Sequence, residues 1–556
     1  MINNKYISKL IAVIMAAAVI FCFLAMFFSK HLEAAWSGKA VAVEYEAKLF
    51  DTEKPMQIDI QMEKSDWDEM LLNAIAEEYY RCDVVIDGQK FYSVAVRPKG
   101  NTSLSSIAMD ETTDRFSLKL EFDHYVAGQT CYGLDKLVLN NNFADATNMK
   151  EAIVYDMYRY LDVDASLYNY AEISLNGDYW GVYLALESVE DSFLLRNYGT
   201  GNGKLYKPEG MDGGRADGAG DAPVEVSDRE PGNVLPPDGT AGNMQGADLN
   251  YTDDDPDSYS IIWEGEVTKT DQADHKRVIA ALKHASEGTD LETYLDIDNI
   301  LKYMAVHTFS VNLDSLSGNM AHNYYLYEYD GCLNILPWDY NLAFGGMTAG
   351  AASGASDIVN AAVDTPFQGT QFFDALLEHE EYQAQYHAYL QQLVEEYVFG
   401  GKFDETYTRI RSQIDELVKT DPTAFYFYDA YTAGAEMLYQ TVMLRAKSIH
   451  GQLQGEIPST DEGQKEDASH LVDASEIDID AMGVFRGGGD GGHSKMFAGV
   501  PQEAGEDKQT QEAFSDSVPQ LPSGFADRAK QHAIRYAVCF LVLCIALILA
   551  KVYVRK

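Results

Sequence analysis

NLDSLSGNMAHNYYLYEYDGCLNILPWDYNLAFGG, residues 312–346, is the stretch from which the remainder of the chain can be placed. It follows a helical pattern at 291–311 and contains two short apolar strands, HNYYLYEYDG and LNILPWDYN, that read as a pair. Asp314 falls in the loop just after the helix, Asn319 and Asn323 follow within ten residues, and Asp339 ends the second strand. A loop carboxylate, a nearby amide and a second carboxylate are the hard oxygen ligands of metal-assisted phosphoryl transfer. The first orients a hydroxyl, and the others hold Mg²⁺ against nucleotide phosphates. Loop Asp and Asn also form turns, and residue type alone leaves that alternative open.

Upstream, VRPKGNTSLSS (96–106) precedes RFSLKLEF (115–122). A strand, a small-residue turn and a second strand carrying Lys119 can cover and clamp phosphates through turn N–H groups and one ammonium. An ordinary hairpin with solvent-facing cations has the same pattern.

Around these segments, residues 41–62 alternate and read as strands, and 66–80 as an amphipathic helix. Hairpins are expected around Asp87-Gly88 and Asn176-Gly177, further strands at RFSLKLEFD and LDKLVLNN, and a helix from Asp145/Thr147 to Tyr160. The expected organisation is a sheet-rich part at 40–208, a flexible acidic Gly-rich insertion at 209–258 and a helical part at 259–450. A second Gly-rich insertion falls at 345–362, and 452–530 reads as a disordered tether. The acids of TDDDPDS lack EF-hand spacing and read as solvated.

The chain has 556 residues, 46% of them apolar, enough for a large core. A formal charge of -45 argues against a nucleic-acid partner. The apolar runs 10–28 and 536–550 predict a signal anchor within 1–35 and a second spanning helix within 535–556. On that expectation the protein is a two-span cell-membrane protein with an extracytoplasmic body. Cys82, Cys131 and Cys332 have neither disulfide nor metal spacing.

Seven blocks in order give the chain a specific resemblance to the spore coat protein H (CotH) kinase family of atypical protein kinases. They are RPKGNTS (97–103), SLKLEF (117–122), LDKLVLNNNFADATNMKEAI (134–153), LNGDYWGVYLALESVE (175–190), GKLYKPEG (203–210), NLDSLSGNMAHNYYLY (312–327) and LPWDYNLAFGG (336–346). The resemblance implies an α+β, kinase-like fold between the two membrane helices, sheet-rich first and helical after. It implies transfer of phosphate from ATP, with Mg²⁺ or Mn²⁺, to Ser/Thr of a protein acceptor. Asp314 resembles the catalytic Asp and Asp339 the metal-binding Asp. Asn323 resembles the metal-binding amide, with Asn319 as its rival. Lys119 resembles the phosphate-pairing Lys, with Glu151 as its ion-pair partner. Lys99, Ser103, Glu187 and Lys207 match the remaining nucleotide-binding positions. Many relatives carry a second Asp two residues after PWD, where this chain has Asn341. The competing expectation is a pseudokinase, a cell-surface or spore-coat binding protein without turnover.

Overall fold

Seven alternating segments become strands, and their pairing has no free edge. In the computed structural model, which describes residues 41–199, 203–209, 245–318, 321–347, 354–483 and 485, these are β1 (Met56–Gln61), β2 (Tyr80–Ile86), β3 (Gln89–Lys99), β4 (Ser117–Glu121), β5 (Lys136–Asn140), β6 (Tyr168–Leu175) and β7 (Asp178–Glu187). They close into a barrel in the order β1-β2-β3-β4-β5-β7-β6. Each neighbouring pair is antiparallel except the closing one, β1 with β6, which runs parallel from Met56↔Ala171 to Ile60↔Leu175. The two expected hairpins form. Asp87-Gly88 and Asn176-Gly177 take φ of 47° and 82°, and of 53° and 87°, the left-handed pair that matches strand twist in a two-residue turn.

Period-two alternation fills the barrel with Ile58, Ile60, Val84, Val96, Leu118, Leu120, Leu137 and Leu139. The outer face is not all solvent. Val138, Leu184, Leu186, Tyr168 and Tyr170 face outward into a second core shared with helices. The strands of this quarter are thus buried on both faces, and outward side chains such as Lys119 are enclosed too.

That second core is built from α1 (Lys150–Tyr160), α2 (Gln272–Glu287), α3 (Ile297–Ser310), α4 (Glu380–Gln392), α5 (Lys402–Thr420) and α6 (Tyr428–Leu453). A second sheet, order β10-β9-β8, joins β8 (Lys204–Tyr206), β9 (Tyr324–Tyr329) and β10 (Cys332–Pro337). The end of α3 matters most for function. The buried Arg445 of α6 donates to the Thr308 and Phe309 carbonyls at 2.8 and 3.3 Å, filling acceptors that a helix end leaves open. The helix then stops at Val311, whose φ of 47° is unusual for a β-branched residue. Anchored there, the chain turns into the loop of Asp314.

Several expectations need correction. A kinase-like fold between two spanning helices is replaced by a closed seven-stranded barrel with helices. Among the described residues no helix is long and apolar enough to cross a membrane, so anchoring through two spans, and the cell-membrane location drawn from it, lose their support. The runs 10–28 and 536–550 themselves lie outside the described residues. AVEYEAKLF was expected as a strand, but Glu44–Leu49 is a helix, with Tyr45 and Leu49 buried one turn apart. The helix expected at 66–80 spans Lys64–Leu72, and β2 has begun by Tyr80. The expected tether starts too early. Val472, Ala474 and Ile477 pack with Val359, and Met482 joins the main core.

Candidate active site

Asn312 is the first polar residue after α3, and its buried amide holds two backbones. Its Nδ2 donates to the Asp339 carbonyl at 3.2 Å, and its Oδ1 accepts from the Asp314 N–H at 3.3 Å. One side chain therefore sets the spacing of the two acids. A polar chain lies beneath it. Tyr340 Oη meets His307 Nδ1 at 2.9 Å, His307 Nε2 meets Ser317 Oγ at 2.7 Å, and Ser317 donates to the Asn312 carbonyl at 2.7 Å. Because Ser317 spends its hydrogen on Asn312, Nε2–H must donate to Ser317 and Nδ1 must accept from Tyr340. Burial keeps His307 neutral, with its pKa pushed down to about 3. Tyr158 of α1 extends the chain to Tyr340.

Asp314 is held on both carboxylate oxygens. His322 Nε2 donates to Oδ1 at 2.7 Å, and Asn323 Nδ2 donates to Oδ2 at 3.0 Å and to the Asp314 carbonyl at 2.8 Å. Asn323 reaches back from a left-handed φ of 56°. Its Nδ2 being occupied, its Oδ1 is the atom left for a cation.

Asp339 stands in the same strained region, at φ 57°. Its Oδ1 is shut off from water and has no hydrogen-bond partner. Burial raises its carboxyl pKa, and the Asp314 charge adds to that, while Lys99 and Lys207 pull it down. Glu151 is tied to the same loop. It accepts from the Tyr340 N–H at 3.2 Å and from Asn140 Nδ2 at 2.7 Å, and burial with the Asp339 charge raises its pKa. Lys99 also lies over the Trp338 ring at 5.5 Å, and Lys207 pairs with Glu209 at 2.9 Å.

The donor set fits a hard divalent cation. An orphaned carboxylate oxygen next to a second carboxylate and an amide oxygen is what such an ion would satisfy. No group of three or more His, Cys, Asp or Glu side chains able to hold a metal occurs among the described residues. A cation that draws most of its ligands from phosphates and water needs no such group.

The fold thus gathers Asp314, Asp339, Asn323, Glu151, Lys99 and Lys207. The other expected residues have different partners. Lys119 is 1% exposed, and its Nζ pairs with Glu190 at 2.7 Å; Glu151, its expected partner, is held by Asn140 and Tyr340. Glu190 also pairs with Lys136. Glu187 serves the framework, receiving Arg196 Nη2 at 2.6 Å, Tyr45 Oη at 2.6 Å and the Leu167 N–H at 3.1 Å. Ser103 sits in the first turn of the short helix Thr102–Ala108 and makes no hydrogen bond to these groups. Asn319 lies outside the described residues. Asn341 donates to the Phe143 carbonyl at 3.1 Å, a bond an ionised Asp could not make. Asn312, His322, His307 and Glu190 were not singled out in the sequence. Asn312, His322 and Glu190 lie within the quoted blocks, at 312–327 and 175–190, whereas His307 falls inside α3 and outside all of them.

Comparison with known proteins gives the family. The family model described as CotH kinase protein matches residues 96–449, from β3 through most of α6. Inner spore coat protein H of Bacillus subtilis (strain 168) is 23% identical over 219 residues, 39% of this chain and 52% of that protein. The chain spans about half the length of that curated relative.

Proposed function

The chain belongs to the CotH kinase protein family, and from that premise we propose that it transfers the γ-phosphate of ATP to Ser or Thr hydroxyls of a protein acceptor. One observation carries the reading. The shielded, partnerless Oδ1 of Asp339 lies among Asp314, Lys99 and Lys207. A buried carboxylate oxygen without a hydrogen bond is costly to keep in a fold that gains nothing from it. Two carboxylates with Lys99, Lys207 and His322 around them match a cation and the phosphates it carries.

On this reading Asp339, with Asn323 Oδ1, would hold Mg²⁺ or Mn²⁺. When bound, the ion would neutralise phosphate charge and align the nucleotide. Lys99 and Lys207 bind phosphate oxygens, taking the part expected of Lys119. Glu151 and Asn312 fix the Asp339 backbone through its neighbour Tyr340 and its own carbonyl. Asp314 accepts the proton of the acceptor hydroxyl on a lone pair that His322 and Asn323 leave open.

A second reading has an observation in its favour. The curated relative carries a coat-protein name over about half its length, which suits a coat-binding or assembly role without turnover. Asp314→Asn separates the two. The full-length chain is incubated with labelled ATP, either metal and a Ser/Thr-rich acceptor, beside calorimetric nucleotide binding. Transfer should fall about 10²-fold or more while nucleotide affinity stays nearly unchanged, as for a group needed in the transition state. Nucleotide binding with no transfer by the wild type would favour the coat-binding role.

A further inference from the structure

We infer that His322 is a positioning residue for Asp314, fixing the direction in which that carboxylate faces the acceptor hydroxyl; this rests on the phosphotransfer reading above.

The carboxylate of an Asp turns freely about its last torsion, whose wells are broad. A proton acceptor that must meet a hydroxyl in one orientation cannot keep that freedom. Here neighbouring residues 322 and 323 each hold one oxygen, His322 Nε2 on Oδ1 at 2.7 Å and Asn323 Nδ2 on Oδ2 at 3.0 Å. The roles are unequal. Asn323 also bonds the Asp314 carbonyl, which braces the loop, and its other side-chain atom is offered to a cation. The hydrogen bond of the His322 ring goes to the carboxylate and not to the loop backbone, while its charge also bears on Asp339 and Glu209. The side chains of His322 and Asp314 are 13% and 12% exposed, so water competes weakly for this bond. Both lie at the rim of the site, where an acceptor can still reach the remaining lone pairs of Asp314.

Reach and chemistry give the test. His322→Leu removes the donor at similar bulk. His322→Gln can restore an N–H near the Nε2 position. His322→Asn is polar but one methylene short, and it replaces the leucine variant should that one not fold. All are made in the full-length chain and assayed for phosphate transfer, with the melting temperature as a control. For the leucine or asparagine variant kcat should fall about 10–100-fold, the usual cost of losing a group that orients a reacting one. KM for Mg²⁺–ATP should stay within about two-fold, since the bond acts after nucleotide is bound. The glutamine variant should recover most of the loss. In an Asp314→Asn background the same substitution should cost nothing further, because there is no longer a base to aim.

A raised KM with intact kcat, glutamine no better than leucine, or losses that multiply with Asp314→Asn would overturn the assignment. Wild-type transfer indifferent to residue 322 would overturn it alone. A wild type that transfers nothing would remove the phosphotransfer reading and this inference together.

Discussion

Glu187, at the end of β7, and Asp339, just after β10, place carboxylates in the same protein interior under opposite conditions. Glu187 is wholly buried and fully answered by Arg196, Tyr45 and the Leu167 N–H. Asp339 keeps one oxygen away from water with nothing on it, at a strained backbone angle and with a carboxyl pKa raised by burial. A settled charge is framework: it joins the helix Glu44–Leu49, β7 and the helix Asp191–Tyr198. The unsettled one is the group to which the proposal above assigns the cation. Burial does not distinguish the two regions; the accounting of hydrogen bonds does.

The largest effect should come from breaking the settled region. Glu187→Ala strands Arg196 and the Tyr45 hydroxyl in the interior, and removing one partner of a buried pair costs about 3–5 kcal/mol. Urea unfolding should show that loss. Nucleotide affinity of the remaining folded protein should be unchanged. A stability change below about 1 kcal/mol would mean that the pair is no framework.

Asp339→Asn is the converse. It removes a charge the fold does not satisfy, so unfolding stability should hold or rise slightly. Mg²⁺-dependent nucleotide binding should weaken by about ten- to a hundred-fold, one charged ligand's share. The same contrast has a pH signature. Asp339 and Glu151 both have carboxyl pKa values above their unfolded ones. Their stabilising contribution is therefore fully present below the unfolded carboxylate range, about pH 4, and is lost as pH rises through the raised values. The metal-free protein should lose stability over that rise. Added Mg²⁺ should recover part of the loss, and Asp339→Asn should flatten the slope. A slope unaffected by either would place the titrating groups elsewhere.

The sequence disclosed these two regions unequally. Alternation and the Asp-Gly and Asn-Gly turns revealed strands and hairpins, because both are local. Barrel closure was hidden, because the parallel β1–β6 pairing joins segments far apart in the chain and leaves no mark on either. The acids at 314 and 339 were legible through the ordered blocks around them. Their partners were not, since a salt bridge is a choice among many possible mates. Lys119 shows the limit: its strand left open a phosphate clamp or a solvent-facing cation, and the fold instead buries the side chain and pairs it with Glu190. Lys99, on the same outward row one pleat pair along β3 and β4, is a cation whose field reaches Asp339.

The smallest effect separates the two regions at a single loop. Asn341, two residues past Asp339, stands where the family resemblance leads one to expect a second acid. That departure alone would suggest weakened metal binding. The structure gives Asn341 framework duty instead: it is 9% exposed and donates to the Phe143 carbonyl at 3.1 Å, pinning the loop after β10 to the segment that leads into α1. Asn341→Asp exchanges that donor for an acceptor facing a carbonyl oxygen. The bond is lost, and the new charge is repelled unless it takes up a proton. Stability should fall on the order of 1 kcal/mol, the net worth of one hydrogen bond. Mg²⁺–nucleotide affinity should not improve, because the side chain at 341 is aimed at Phe143. Urea midpoints and calorimetric titrations on one preparation decide it. Tighter Mg²⁺–nucleotide binding without a loss of stability would show that position 341 faces the cation, and that the boundary between settled and unsettled charge lies two residues further along the chain.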